Sequence, residues 1–457
     1  MKTAVILAAG AGKKVWPYAE IRPKAMIPVA NKPIVGHQAE LLKRIGFERI
    51  IVAVGPMHEQ IRHYFRNNGL VDVIEVGPAK GTAFTLAAVK ERVGEGPFVV
   101  LYGDTVLEQR DVERLIERFE RERPMAAALV APLGDEPTHD WICCNLADGK
   151  VANIMGHPRM KFTHRFCAFA FAESFWPYVT NNSGLFTNVQ VGMMPPVEGH
   201  LEMSLADCIA ESHPVPAVEA EGMFVDIDKP WHILTANHLM AAKLCGELRQ
   251  NELAEGASID PTATIDGFVK LGRNSKIGRN VVIRGSIIVG DDTVIENGAI
   301  LHGDNVIGDR TYLGNYCWIG RGSTVGNRCI VTHCAEMSGM IMDAVHLSHY
   351  MEFYGIIGSH TDLGAATVCG TLRFDDRFSA HWVNGRKEMP KGHANASYLG
   401  DFSRTGVNAI LMPGVKVGVY SVVGAGVILN EDVPNRTLVY AKQELVRKEW
   451  GPEKYGW

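Results

Sequence analysis

One spacing constrains this chain more than any other. Aliphatic-glycine pairs recur at Leu271-Gly272, Ile277-Gly278, Val289-Gly290, Ile307-Gly308, Leu313-Gly314, Ile319-Gly320 and Val325-Gly326, and each of these glycines lies a multiple of six residues from the others. A period of six, with an aliphatic residue pointing inward and Gly at the corner, is what a triangular parallel β-helix requires, three hexads closing one coil. An antiparallel sandwich would show a period of two and no fixed hexad. The rhythm returns at Ile357-Gly358, Leu363-Gly364, Leu399-Gly400, Val417-Gly418 and Val423-Gly424, shifted by two positions, which predicts an insertion between 326 and 358. A second interruption, Arg377 to Ala396, carries Asn384-Gly385, Lys387, Pro390 and Lys391. It reads either as a loop covering a ligand cleft or as a plain surface excursion.

The first half has another texture. Up to about residue 240, short apolar runs (Val5-Ile6-Leu7, Ile50 to Val54, Phe98 to Leu101) alternate with amphipathic stretches such as His37 to Ile45 and Asp111 to Arg121. That is the βαβ pattern of a parallel sheet wrapped by helices. Trp231 to Leu253, ending near Gly256, reads as a helical connector. A chain of 457 residues is long enough for two full cores. The expected division is an α/β domain over 1–240 with its connector to about 256, a β-helix over 257–440 and a tail over 441–457. A hydrophobic share of 46%, 21% charged residues and a net charge of -5 argue for small-molecule partners. They argue against a nucleic acid or anionic membrane held by bulk electrostatics. The nine cysteines are scattered without a CxxC pair, suggesting neither a zinc site nor a disulfide framework. Met1-Lys2 runs into an apolar stretch, Ala4 to Ala9, too short for an export signal or a membrane span. Together these features predict a cytoplasmic protein.

The first strand ends in Leu7-Ala8-Ala9-Gly10-Ala11-Gly12-Lys13-Lys14, followed by Trp16-Pro17 and Arg22-Pro23-Lys24. A glycine-rich turn after a strand lets backbone N–H groups close on phosphates while lysines neutralise a leaving pyrophosphate. The stretch resembles the signature of sugar-1-phosphate nucleotidyltransferases, LAAGxGxRxxP followed by RPKxMxPVxxKP, the latter present as Arg22 through Pro33. Lys14 stands where that family usually has Arg. The resemblance implies an α/β Rossmann-like nucleotidyltransferase domain acting on an NTP and a sugar 1-phosphate. Lys14 and Lys24 would be its catalytic phosphate ligands. Leu7, Ala8, Ala9, Gly10, Gly12, Gly81, Thr82 and Gly103 would shape the substrate cleft. Asp104, in Tyr102-Gly103-Asp104, and Asp226, before Pro230-Trp231, would hold Mg²⁺, which suits few hard carboxylate oxygens. The sequence departs from the family at three sugar- and base-contacting places. Gly156-His157-Pro158 replaces Glu-Lys-Pro, Phe166-Cys167-Ala168 replaces Asn-Ala-Gly, and Val76 lies near the position of a base-reading Gln. His157, Arg159 and Lys161 are candidates for the lost lysine's role, although His157 reads first as a simple surface residue.

The second half resembles the left-handed β-helix of hexapeptide repeats in the archaeal-type bifunctional N-acetylglucosamine-1-phosphate uridylyltransferase/glucosamine-1-phosphate acetyltransferases. The closest stretches are Gly370 to Asp376, Arg404 to Asn408 and Met412 to Gly418. That family implies acetyl-CoA as co-substrate and a homotrimer. In its HLSY-like segment a His deprotonates the sugar amine; here His346-Leu347-Ser348-His349-Tyr350 offers two, His346 matching the letters and His349 needing fewer gaps. The family's Gly-Asp-Ser appears as Phe353-Tyr354-Gly355, and its phosphate-binding Arg and Lys fall at Gly320, beside Arg321, and Ser338. Three functions therefore stand open: Mg²⁺-dependent nucleotidyl transfer with or without acyl transfer, a catalytically silent regulator that binds sugar nucleotides, and an acyltransferase with a nucleotide-sensing domain.

Overall fold

Three apolar runs build the centre of the first half. Thr3–Ala8 pairs in parallel with Arg49–Val54 on one side and Phe98–Tyr102 on the other, and Arg49–Val54 pairs in parallel with Val71–Glu75. Their interior residues are almost wholly buried because helices cover the sheet. The computed structural model describes residues 1–77, 80–185 and 197–455, so the last two residues of the expected tail lie outside it. The amphipathic stretches form helices Ile34–Ile45 and Gln109–Glu122, the second burying Val112, Leu115 and Phe119 along one stripe.

The wholly parallel sheet is not what forms. His164–Phe171 runs antiparallel to Phe98–Tyr102, to Ala126–Pro132 and to Ile142–Ala147, and the last of these pairs antiparallel with Lys150–Gly156. The reason is local: Asp148-Gly149 takes positive φ at both positions, 49° and 69°, and joins two strands by a two-residue turn that parallel strands cannot use.

In the second half every regular coil has eighteen residues. Lys270 lies under Ile288, Ile288 under Val306, and Ile295 under Leu313. One aliphatic side chain per hexad points inward, and Leu271, Ile277, Ile283, Val289, Ile295 and Leu301 are all at most 3% exposed. The change of register at 326–358 is the reverse of an insertion. Val325 pairs with Ile341 and Ile341 with Ile357, so two successive coils close in sixteen residues each. Strands Glu336–Ile341 and Glu352–Ile357 run on where the other coils turn a corner. Gly339 and Gly355 permit this: at φ 110° and 141° they stack so closely that a Cβ on Gly355 would lie 1.8 Å from the Ser397 carbonyl oxygen. The excess length sits in the next coil, where Ile356 pairs with Tyr398, and the extra residues form a hairpin of His381–Val383 and Arg386–Glu388.

The connector helix spans Pro230–Gly246, closing short of Leu253, and Glu252–Leu253 already pairs with Lys270–Leu271 as β-helix strand. Its Trp231, Ile233, Leu234 and Met240 join one buried cluster with Val15, Tyr18 and Ile27 from the first half and Met340, Met342, Ile356 and Tyr398 from the second. The Tyr18 hydroxyl donates to the Ile356 carbonyl at 2.9 Å, Asn237 Oδ1 accepts from the Ala30 amide and the Thr324 hydroxyl, and Arg22 pairs with the buried Asp401. The two halves therefore share a core.

Candidate active site

The site is built where the parallel strands end. Thr3–Ala8 and Phe98–Tyr102 finish side by side, tied by the Gly103 amide donating to the Leu7 carbonyl at 2.9 Å, the position at which open α/β sheets bind ligands. Leu7, Ala8 and Ala9 are buried, so only their backbone can face a substrate. Gly10 is open on all sides, and Gly12, at φ 65°, turns the chain into Lys13–Val15, which sends Lys14 into the cleft. Gly81 precedes helix Thr82–Ala87 at φ 105°, against the Gly199 backbone, and the Thr82 hydroxyl accepts from the Leu201 amide at 2.9 Å.

Lys14, Lys24, Thr82, Asp104 and Asp226, chosen from separated motifs, line one cleft of about 630 Å³. Lys24 Nζ lies 2.5 Å from Asp104 Oδ2. Burial alone would lower the Lys24 pKa, but Asp104, Asp226 and Asp228 outweigh it and keep the ammonium charged, well above the usual lysine range. Strand Phe224–Asp226 runs antiparallel to Thr105–Leu107 and sets Asp226 opposite Thr105, beside Asp104. Burial and the neighbouring Asp104 push the Asp226 carboxyl up to about 7. Two recessed carboxylates that resist carrying charge together fit a divalent cation, which would relieve that repulsion; both supply the hard oxygens Mg²⁺ prefers.

Several cleft residues carry no motif. Asp228 Oδ2 accepts from Lys14 at 3.3 Å and from Lys229 at 3.0 Å. Burial would raise its pKa, yet Lys24, Lys14 and Lys229 hold it well below the carboxylate range. Lys229 is 1% exposed, and it also meets Glu388 at 3.0 Å and Asp140 at 3.7 Å. Arg165 stacks 4.0 Å from the Trp141 ring, with Nε and Nη1 lacking hydrogen-bond partners among the described residues and Nη1 3.6 Å from Glu136 Oε2. Asp228 and Lys229 adjoin Asp226 and were open to inspection in the sequence; Arg165, Asp140 and Glu388 converge only through the fold. His157 is no surface residue: it lines the cleft, its Nδ1–H donates to the His139 carbonyl at 3.0 Å, and burial lowers its pKa. Arg159 and Lys161 are exposed outside the cleft lining.

His346 and His349 lie far along the chain on the β-helix. His346 is exposed in His346–Leu347, between Ile330 and Asp362 in the stack. His349 sits at the next corner, its ring stacked 4.7 Å from His333 with their Nδ1 atoms 3.1 Å apart. Among the described residues no helix is long and apolar enough to cross a membrane.

Comparison with known proteins covers both halves. Residues 4–181 match the MobA-like NTP transferase domain, 268–303 the bacterial transferase hexapeptide (six repeats) and 400–431 the hexapeptide repeat of succinyl-transferase. A bifunctional protein GlmU of Methanococcus vannielii is 30% identical over 458 residues, covering 98% of this chain and 99% of that protein. A bifunctional sugar-1-phosphate nucleotidylyltransferase/acetyltransferase of Sulfurisphaera tokodaii is 26% identical, covering 94% and 98%. A solved UDP-glucose pyrophosphorylase from acinetobacter baumanii, 19% identical with a TM-score of 0.46, covers 53% of this chain and 94% of its own. With kinship running end to end through an NTP-transferase domain and hexapeptide coils, the chain belongs to the family of GlmU-type bifunctional nucleotidyltransferase/acetyltransferase enzymes.

Proposed function

We propose that the cleft transfers a nucleotidyl group from an NTP to a sugar 1-phosphate. The observation that carries this reading is the Lys24–Asp104 pair, with Asp226 beside it and Lys14 across the same cleft. An oxygen of the sugar phosphate attacks the α-phosphorus, the bond to the β-phosphate breaks, and pyrophosphate leaves. The attacking oxygen is already anionic, so no general base is required. Lys14 and the amides of the Gly10–Gly12 turn neutralise the departing phosphates, and Lys24, held charged by its carboxylate neighbours, stabilises charge at the reacting centre. Asp104 and Asp226 would hold Mg²⁺, which when bound neutralises phosphate charge. Gly81 and Thr82 open the helix that walls the nucleotide side.

The β-helix is proposed to transfer an acetyl group from acetyl-CoA to an amino sugar. His349 is favoured over His346 as the base, because His333 Nδ1 lies 3.1 Å from its own Nδ1 and fixes the ring. It would take the amine proton as nitrogen attacks the thioester carbonyl and CoA leaves as the thiol. Exposed Ile410 and Ile428, stacked on one face, support packing against further copies in a homotrimer. A cytoplasmic setting suits substrates that are NTPs and CoA thioesters.

The test is pyrophosphate release with Mg²⁺ over four NTPs and several sugar 1-phosphates, with free CoA release from acetyl-CoA followed in parallel. Release with one pair is expected. Nucleotide binding with silence across the panel would replace the enzyme by a binding protein.

A further inference from the structure

The hairpin His381–Glu388 belongs by chain position to the β-helix, yet it stands in the cleft of the other half. Its strands are joined by Asn384-Gly385, and Val383, Asn384, Arg386 and Glu388 line the same cleft as Lys14 and Asp226. Its base is fixed. His381 is 1% exposed and its Nε2–H donates to the Ala394 carbonyl at 2.7 Å, while its ring lies 5.2 Å from Trp231 of the connector helix. Lys416, also buried, reaches His381 Nδ1 at 3.5 Å and Asp432 at 2.9 Å.

The tip is wired to the phosphate loop by an unbroken run of charges. Lys14 meets Asp228, Asp228 meets Lys229, Lys229 meets both Asp140 and Glu388, and Arg386 closes the run on Asp140 and Glu388. Glu388 and Asp140 share the buried Lys229 with Asp228, so Arg386 completes their charge balance, and Lys14, Lys229 and Arg386 together match Asp228, Asp140 and Glu388. Arg386 itself is half-exposed, and its Nη1 has no hydrogen-bond partner among the described residues. The acceptor of the proposed reaction brings a second phosphate dianion, which needs a cation of its own. His157, on the cleft wall, is disfavoured in its charged form by burial, and Arg165 is held beneath Trp141 and beside Glu136. Arg386 Nε and Nη2 are held by Glu388 and Asp140, which leaves the N–H donors of Nη1, on a fixed hairpin, to meet a phosphate oxygen in a charge-assisted bond.

We propose that this hairpin is the cap of the nucleotidyl-transfer cleft and that Arg386 binds the phosphate of the sugar 1-phosphate acceptor. The β-helix thus supplies a residue to the first half's reaction, in the same chain. The inference rests on the nucleotidyltransferase reading above.

Its test uses the full-length enzyme and the NTP and sugar 1-phosphate pair found in the panel. Arg386→Ala is expected to raise KM for the sugar 1-phosphate about tenfold or more, the loss of one charge-assisted contact, and to leave KM for the NTP within about twofold. Arg386→Lys restores charge but cannot hold Glu388 and Asp140 and the phosphate at once, and falls between the two. Arg377→Ala, on the same long loop outside the cleft lining, serves as the control and retains wild-type constants. Melting temperatures of all variants report any loss of fold. Wild-type turnover with an unchanged acceptor KM in Arg386→Ala, or equal rises for both substrates, overturns the inference while leaving the nucleotidyltransferase reading intact. Absence of wild-type turnover across the panel removes that reading, and the inference with it.

Discussion

Asp226 shows how one residue trades stability for chemistry. Its carboxyl, pushed up to about 7 by burial and by Asp104, binds its proton more tightly folded than unfolded. Its contribution therefore favours the fold at acid pH and is lost as pH rises through about 7, where a buried pair of like charges forms. Asp226→Asn removes that repulsion. Without Mg²⁺ at pH 8 the variant is expected to melt about 2 °C above wild type, measured calorimetrically, while losing turnover; a lower melting temperature would contradict the charge assignment. Lys24→Met tests the opposite sign in the same cluster. It strands Asp104 without its cation, and kcat is expected to fall about 10²-fold or more with the fold kept. At this scale the sequence was informative, because Lys14, Lys24, Asp104 and Asp226 each sit in a local motif that the structure brings to one cleft. Arg165 and Arg386 had no such signal. Their neighbours come from strands and a hairpin remote in sequence, so only the fold assembles them.

At the scale of elements, the hexad spacing made the coils legible because each aliphatic residue reports its own inward position. The shift by two was legible as well, but its sign was not. Glycine spacing cannot distinguish two residues gained from four lost, and only the pairing of Val325, Ile341 and Ile357 shows two shortened coils. The stacking of Gly339 and Gly355 predicts that Gly355→Ala destabilises the protein by about 3 kcal/mol, since nothing lets the Ser397 backbone retreat. A denaturant midpoint at the wild-type value would refute it. Between coils, buried hydroxyls form a ladder: Thr311 Oγ1 donates to the Gly326 carbonyl at 2.8 Å and accepts from the Cys329 amide at 3.1 Å. Thr311→Val keeps the shape and leaves both groups unpaired, which is expected to cost about 1–3 kcal/mol in the same measurement. The antiparallel part of the sheet was missed because the helix-strand alternation says nothing of Asp148-Gly149, whose positive φ values make the two-residue turn.

For the whole molecule the main surprise is how little the two halves are separate. The change of texture near residue 257 marks a change of architecture, but Tyr18, Trp231, Met340 and Tyr398 lie in one buried cluster, and Arg22 from a phosphate-handling motif is spent on Asp401 of the β-helix. Asp401 is fully buried and is the carboxylate that Arg22 meets, so Asp401→Ala leaves Arg22 without its counter-charge in the interface. A cost of about 3–5 kcal/mol is expected, seen as earlier unfolding of both halves together rather than of the β-helix alone. This coupling explains why a hairpin inserted among regular coils can serve a cleft built by the other half. The proposed function requires that Asp104, Asp226, Lys14 and Lys24 form a metal-assisted nucleotidyl-transfer site. The measurement that tests it most directly is Mg²⁺-dependent pyrophosphate release by wild type and Asp104→Asn side by side. Release by wild type with an NTP and a sugar 1-phosphate, abolished in Asp104→Asn with the fold retained, is the expected outcome; undiminished release by the variant would overturn the metal assignment.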